Sequence, residues 1–325
     1  MRLLVAELTK LRRPLTWGVA VAAVLISLAF AWQGAKNASA AQQTSGGAVL
    51  RPPSCGDFAL PPGSLCDQAV AVQVQIDAYH RQQAAARPST RHNARPSDAL
   101  PVEQPLAAGK VALGFMASLG GGLLILLLAA GHMGGEWDSQ TIKTLLCQDG
   151  RRWRVLTAKV VSLWITAAAI LILDWVVLAA ASPILKGAYP LPGPGLSWSS
   201  AWSTVAADTA RAPLIIAIFA ILGVAAAVII RNSLGALALA AGFIVASLAV
   251  AGNFPAIASW TFAYWVSGWM QFHSHGYVIY HFWVDGFPTG VHAPGALTGC
   301  IGLLATGVVV SAGALAVFRH ADITA

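Results

Sequence analysis

Charged residues are scarce in this chain. Asp, Glu, Lys and Arg make up 10% of its 325 residues, whereas they make up about a quarter of a typical soluble domain. The few charges are gathered in short stretches, and the apolar runs between them are long enough to cross a bilayer. With 57% hydrophobic residues and a mean hydropathy of +0.66, the chain is predicted to be an integral membrane protein.

Cysteine is also sparse, and no pair has the CxxC spacing of a zinc or redox site. Cys55 and Cys66 flank the stretch GDFALPPGSL, in a segment that is placed outside the membrane below. Two states are compatible with an oxidising compartment: a disulfide between Cys55 and Cys66, or two free thiols. Cys147 and Cys300 are predicted to be free thiols.

The chain has no GxxxxGK(S/T) phosphate loop, so we do not expect it to bind or hydrolyse ATP by itself. Its longest glycine run, at residues 120–122, lies in an apolar stretch without a lysine. Glycine there is better explained by close packing of membrane helices.

Patterns of catalytic and metal-binding residues are missing as well. No Ser-His-Asp or Cys-His spacing stands out, so no catalytic residue is predicted. His273, His275, His281 and His292 lie among aromatic residues, with Asp285 nearby. We interpret them as polar groups at the membrane surface rather than as metal ligands. Neither a metal nor a cofactor is expected in this chain.

The net charge of +7 raises the question of nucleic acid. The basic residues lie beside apolar runs, however, where Lys and Arg set membrane topology. We therefore predict contact with membrane lipid and no nucleic-acid partner.

Six apolar segments are long enough to span the bilayer. A cleaved signal peptide is the alternative for the first, but its apolar run is long for that. The predicted spans are residues 15–33, 111–133, 155–181, 213–230, 234–254 and 296–318.

Lys and Arg predict the orientation of these spans, because they are enriched in cytoplasmic loops. The opposite side carries only Lys186 and Arg211 near its short loops, and long loops cross the membrane regardless of charge. Both termini are therefore predicted to be cytoplasmic, in the inner or plasma membrane. The cytoplasmic basic residues would be Arg2, Lys10, Arg12, Arg13, Lys143, Arg151, Arg152, Arg154, Lys159, Arg231 and Arg319.

Between and beside the spans, each segment has its own character. Residues 1–14 alternate apolar and charged positions, which predicts an amphipathic helix in the cytoplasmic interface. The long loop 34–110, the loop 182–212 and the aromatic segment 255–295 would be extracytoplasmic, and 319–325 a cytoplasmic tail. In 255–295 we expect short re-entrant helices, because Trp and Tyr favour the headgroup level.

The most informative segment is 134–154, which joins the second and third spans. Gly134 and Gly135 are expected to break the second span, and Glu136 and Asp138 to begin a short helix, where negative charge is favourable. Such a helix suits docking into a groove on a partner protein. A plain interfacial hairpin is the alternative.

Two acidic residues near or within spans need an explanation. Asp174 is the acidic residue inside a predicted span, where a charge is costly. A place on a transport pathway and a structural hydrogen bond are both open for it. Asp208 and Arg211 are spaced to pair on one face of a helix.

These features together resemble the permeases of type-2 ABC transporters, especially those of actinobacteria. The resemblance covers nearly the whole chain except the long first loop. Gln140 departs from it, since the family usually has glycine there. The matching residues are Gly135-Glu136-Trp137, Thr141, Thr144-Leu145-Leu146, Arg151-Arg152-Trp153-Arg154, Lys159, Phe318-Arg319 and Asp322-Ile323.

The resemblance implies an all-α membrane fold and a division of labour. Two six-span permeases, identical or homologous, would pair, and two cytoplasmic ABC ATPase subunits would bind ATP and Mg beneath them. Segment 134–154 would be the coupling helix region that transmits ATP-driven movement. Its implied ATPase-coupling residues are Glu136, Trp137, Thr141, Thr144, Leu145, Arg151, Arg152 and Arg154.

Three functions compete at this level. The leading hypothesis is a non-catalytic permease subunit that exports an amphipathic or hydrophobic molecule such as a drug, antibiotic, peptide or lipid. A membrane-bound enzyme that modifies lipid would use the histidines and Asp285. A sensory or assembly scaffold would use the loop 34–110.

Overall fold

The computed structural model describes residues 14–47, 105–148, 152–188, 198–270 and 295–320. Several predictions fall outside these ranges. They concern the interfacial helix at residues 1–13, the Cys55–Cys66 pair, Arg151, the four histidines from 273 to 292 and the tail from 321.

Every regular element in the described ranges is a helix. The short π-helical turn Ala130–Gly134 lies between α3 and α4 and connects them into one continuous helix. The helices are α1 (Pro14–Gly47), α2 (Pro105–Ala117), α3 (Leu119–Ala129), α4 (Gly135–Asp138), α5 (Thr141–Gln148), α6 (Arg152–Ala188), α7 (Trp198–Ile230), α8 (Ser233–Asn253), α9 (Pro255–Ala258), α10 (Phe262–Met270) and α11 (Ala296–His320).

Five of these helices are long and apolar enough to cross a membrane, namely parts of α1, α6, α7, α8 and α11. A sixth crossing results if α2 and the continuous α3–α4 unit count as one span, bent by 60°. The predicted all-α membrane fold is therefore confirmed. Helices α6 and α7 extend further than predicted, so that only 189–197 separates them rather than 182–212.

The bend in the second crossing lies at Ser118, not at the glycine pair where the sequence placed a break. The Ser118 hydroxyl donates to the Phe115 carbonyl at 2.6 Å and accepts from the Gly121 amide at 3.4 Å. A serine hydroxyl competes in this way with helical hydrogen bonds. Gly134 and Gly135 keep right-handed φ values of −65° and −61°, so the prediction of a break there was wrong. Glycine permits a break without requiring one.

Helix α7 forms the centre of the bundle. Two thirds of its membrane window is buried, 67%, against 22–33% for the other four single-helix crossings. Glycines let neighbouring helices approach it closely: a Cβ on Gly122 would collide with the Phe219 ring, and one on Gly307 would lie 2.6 Å from Ile218 Cδ1. The prediction that glycine at 120–122 serves close packing is thus confirmed at Gly122.

The ends of the crossings meet at one end of the bundle, which we call the Glu136 end. Leu15 at the start of α1 touches Gly131 of the π-helical turn. Trp137 of α4 packs on Phe318 of α11, and Arg231, between α7 and α8, lies over the Trp137 ring. This convergence places the segment that joins α4 and α6 over the ends of the other crossings.

Candidate functional site

A buried ion pair joins the two helices on either side of the exposed segment. Lys159 Nζ of α6 lies 2.6 Å from Glu136 Oε2 of α4, and the two side chains are 0% and 1% exposed. A buried charge without its partner is strongly destabilising. The pair therefore fixes α4 against α6 and sets where the chain between them can lie.

Trp137, the next residue, is buried between two other elements. Its ring lies 6.3 Å from the Phe318 ring in an edge-on arrangement, with an interplanar angle of 80°. On another side, the Arg231 guanidinium carbon lies 5.5 Å from the Trp137 ring centroid, a cation–π distance. Arg231 has a φ of 61°, a left-handed conformation that arginine rarely adopts, in a very short turn.

Asp138 attaches the end of α4 to the start of α8. Its Oδ2 accepts hydrogen bonds from the Ser233 amide at 3.3 Å and the Ser233 hydroxyl at 2.8 Å. Asn232 caps the same helix, since its side chain accepts from the Gly235 amide at 2.6 Å. A carboxylate at a helix N-terminus is also favoured by the helix dipole.

Arg152 attaches the start of α6 to the end of α11. Its Nη1 donates to the Phe318 carbonyl at 2.5 Å and to the Arg319 carbonyl at 2.8 Å. The last carbonyls of a helix lack partners within the helix, so this contact caps α11. The guanidinium also lies 6.0 Å from the Phe318 ring centroid.

The segment held between α4 and α6 is exposed. Thr141, Thr144 and Cys147 follow one another at three-residue intervals on α5, so they share a face, and all three are exposed. Ile142 on another face is buried, with 1% of its surface accessible. Helix α5 is thus anchored by an apolar side chain and presents a polar face outward.

Gln140 connects α4 to α5 with a φ of 59°. Glycine adopts this left-handed conformation without steric cost, whereas other residues are strained there by about 1–2 kcal/mol. Glycine, the residue that the resemblance led us to expect at this position, would suit the turn better than glutamine does. The turn is thus under strain in this chain.

The residues that the sequence assigned to ATPase coupling separate into two groups. Glu136 and Trp137 face the interior, so they hold the segment and do not form its surface. Thr141 and Thr144 are on the surface. Arg152, at the start of α6, is half-buried against the end of α11. Arg154 is exposed, and its guanidinium lies 5.7 Å from the Trp153 ring. The Leu145 side chain and Arg151 lie outside the described part of the chain.

Sequence reasoning did not identify four members of this cluster as contacts of Glu136, Trp137 or Asp138. Lys159 was recognised as a basic flank and a motif residue, yet its place between Ala158 and Val160 in an apolar run was a signal of burial. Arg231, Ser233 and Phe318 gave no comparable signal, because their partners lie far away in the chain.

Asp174 is fully buried and its Oδ2 accepts a hydrogen bond from the Ser27 hydroxyl at 2.7 Å. This contact joins α6 to α1 and satisfies one of the two buried carboxylate oxygens of Asp174. A transport-pathway role for Asp174 stays a prediction. The predicted pair of Asp208 and Arg211 is present, with 3.7 Å between Oδ1 and Nη1.

Within the described ranges, no group of three or more His, Cys, Asp or Glu side chains could hold a metal ion. The histidines discussed above are outside those ranges. The Glu136 end combines a buried ion pair and aromatic contacts with the exposed face of α5.

Comparison with known proteins gives one finding. The family model described as "ABC-2 family transporter protein" matches residues 7–278, more than half of the chain. This range includes the ion pair, the exposed helix and the α7–α8 turn. Searches of curated proteins and of solved structures found no match.

Removing one partner of the buried ion pair should destabilise the protein. We expect Lys159→Met or Glu136→Gln alone to lower the free energy of unfolding by about 3–5 kcal/mol, and the double variant to lose less than the sum of both. Thermal unfolding in detergent measures this. The matched control is Lys186→Met, an exposed lysine of the same helix, which should unfold like the wild type. Additive losses in the double variant would contradict the pairing.

Gln140→Gly should relieve the left-handed strain and stabilise the protein by about 1 kcal/mol. Gln140→Ala is the control, because it also removes the side chain but keeps a Cβ at the same φ. The two midpoints of thermal unfolding are compared. A Gln140→Gly midpoint at or below that of Gln140→Ala would show that the turn is not strained.

Proposed function

This chain belongs to the ABC-2 family of transporter proteins, and from that premise we propose that it exports an amphipathic or hydrophobic substrate with energy from a separate ATPase. As a member of this family it is a multi-pass membrane protein and an ABC transporter permease, a generally non-catalytic transport component. Permeases of the family normally work with an ABC ATPase.

The exposed face of α5 is the proposed docking site for the ATPase. The observation that carries this proposal is the buried Glu136–Lys159 pair, which fixes the base of an otherwise exposed helix. A force applied to α5 cannot open the pair without the cost of separating two buried charges. The same force therefore moves α4 and α6 together.

The Glu136 end would lie in the cytoplasm, where an ATPase can reach it. Among the described residues, this end carries Arg152, Arg154, Lys159, Arg231 and Arg319. Such an accumulation is typical of the cytoplasmic side. Both termini would then be cytoplasmic, in the plasma or inner membrane.

The complex would contain two permeases, identical or homologous, and two ATPase subunits that bind ATP and Mg. An apolar substrate is supported by a groove of about 540 Å³ between α8, α10 and α11. The hydroxyls in its lining already make internal hydrogen bonds, so the groove offers apolar contacts. Its lining comprises Phe243, Ala246, Ser247, Val250, Trp260, Thr261, Phe262, Trp265, Ala305, Thr306, Val309 and Val310.

The rival hypotheses gain no support from the described residues. The lipid-modifying enzyme depends on residues 273–292, and the scaffold depends on the loop 34–110. The first segment and most of the second lie outside the described ranges. A permease needs the exposed helix at the Glu136 end, whereas an enzyme with its site on the outer side does not.

Charging the exposed face of α5 should detach the ATPase. In Thr141→Glu/Thr144→Glu we expect about tenfold less copurified ATPase, which corresponds to about 1.4 kcal/mol at the interface. Asn253→Glu, at an exposed position at the end of α8 that is far from the Glu136 end and outside the membrane window of that helix, is the control and should retain full yield. Full ATPase yield and normal ATP turnover with the double variant would refute the docking site.

Cys147 is exposed and offers a natural reporter of orientation. With Cys55, Cys66 and Cys300 replaced by serine, an impermeant maleimide should label inside-out vesicles and not right-side-out vesicles. Labelling of right-side-out vesicles would place α5 beyond the reach of a cytoplasmic ATPase, and the proposed function would fail.

A further inference from the structure

Resting on the proposed function, we propose that the α7–α8 turn, residues 231–233, receives the movement of the docking segment and transmits it along α8 to α10 at the opposite end of the bundle. Movement of the ATPase would then reach the outer side of the membrane through one helix. The residues of the turn and of its contacts are positioning residues, which act through α8.

Direct backbone contact is the first support. A Cβ built on Gly134 would lie 2.5 Å from Ser233 Cα and 2.7 Å from Ser233 N. Heavy atoms do not approach that closely, so the two backbones touch only because residue 134 has no side chain. Contact of this kind leaves no compressible side chain between the end of the second crossing and the start of α8.

Side chains on both sides of this contact bind the same turn. Asp138 accepts two hydrogen bonds from Ser233, and Arg231 lies against the Trp137 ring. The left-handed φ of Arg231 has a steric cost that the surrounding contacts must offset. The α7–α8 turn is therefore bound by Trp137 and Asp138 of the docking segment, in addition to the backbone contact at Gly134.

Helix α8 is suited to pass the movement on. Its 21 residues span about 30 Å at 1.5 Å per residue. Only 22% of its membrane window is buried, so the rest of the bundle restrains it less than it restrains α7. A displacement at the Asn232 cap would thus shift the helix as a rod.

The other half of α8 is bound to α10. The Ser247 hydroxyl accepts from the Ala263 amide at 2.9 Å, and the Phe243 and Phe262 rings lie 5.7 Å apart. An amide in the first turn of a helix has no partner within the helix, so Ser247 satisfies one that α10 cannot satisfy itself. These contacts connect α8 to the aromatic helix.

Movement could also reach α10 through α11, and the experiment must distinguish this route from the one through α8. Helix α10 also packs on α11, where a Cβ on Gly299 would lie 2.6 Å from the Trp265 carbonyl oxygen. The Glu136 end reaches α11 through Arg152. If this route dominates, disturbing the α7–α8 turn leaves the response of α10 intact.

Gly134→Ala and Gly135→Ala make a matched pair for the experiment. Both residues are right-handed helical and tolerate alanine conformationally. A Cβ at 134 collides with the turn, whereas a Cβ at 135 has no heavy atom within 4 Å. Neither residue is on the exposed face of α5.

The measurement is hydrogen–deuterium exchange of residues 255–270 in the permease–ATPase complex in nanodiscs, with and without MgATP and vanadate. We expect the nucleotide-dependent change in exchange to be retained in Gly135→Ala and reduced about fivefold in Gly134→Ala. Copurification of the ATPase and its basal hydrolysis rate should be unchanged in both variants, which a loss of folding would not allow.

Ser233→Ala is the second variant, in case Gly134→Ala does not assemble. This substitution removes the Ser233 hydroxyl that donates to Asp138, and it leaves the backbone contact with Gly134 in place. It should reduce the same exchange response. An undiminished response in whichever of the two variants assembles would overturn the proposal. Failure of the wild-type chain to bind any ATPase would instead refute the proposed function, so the two failures are distinguishable.

Discussion

The arrangement at the Glu136 end depends on one constraint, which is that Glu136 and Lys159 cannot be separated while both are buried. In a medium of low polarity, the cost of exposing either charge to its apolar surroundings exceeds what ordinary packing contacts contribute. Helices α4 and α6 therefore behave as one unit where they meet. The exposed face of the eight-residue helix α5, with Thr141 and Thr144, lies between these two flanks.

Other polar contacts distribute this constraint over the bundle. Arg152 extends it to the end of α11, and Asp138 with Trp137 extends it to the turn before α8. In contrast, only 22% of the membrane window of α8 and of α11 is buried. Rigid attachment at one end and weak lateral restraint elsewhere is the combination through which a transporter can convert a local push into movement of whole helices.

The family resemblance and the structure complement each other at the exposed segment. The motif indicated that residues 135–154 matter, and the structure separates those that hold the segment from those that form its surface. Glu136 and Trp137 belong to the first group, and Thr141 and Thr144 to the second. The strained φ at Gln140 also explains why glycine is suited to that position.

Hydropathy and charge determined, by themselves, the membrane class, the all-α fold and the place of the informative segment, because the cost of burying each residue in lipid is local and nearly additive along the chain. Tertiary structure alone decided which charges meet. Whether Lys159 faces lipid or Glu136 depends on how two helices are rotated and packed, and no local property of the chain encodes that rotation. The backbone contact between Gly134 and Ser233 was decided in the same way, by packing of segments that are distant in sequence.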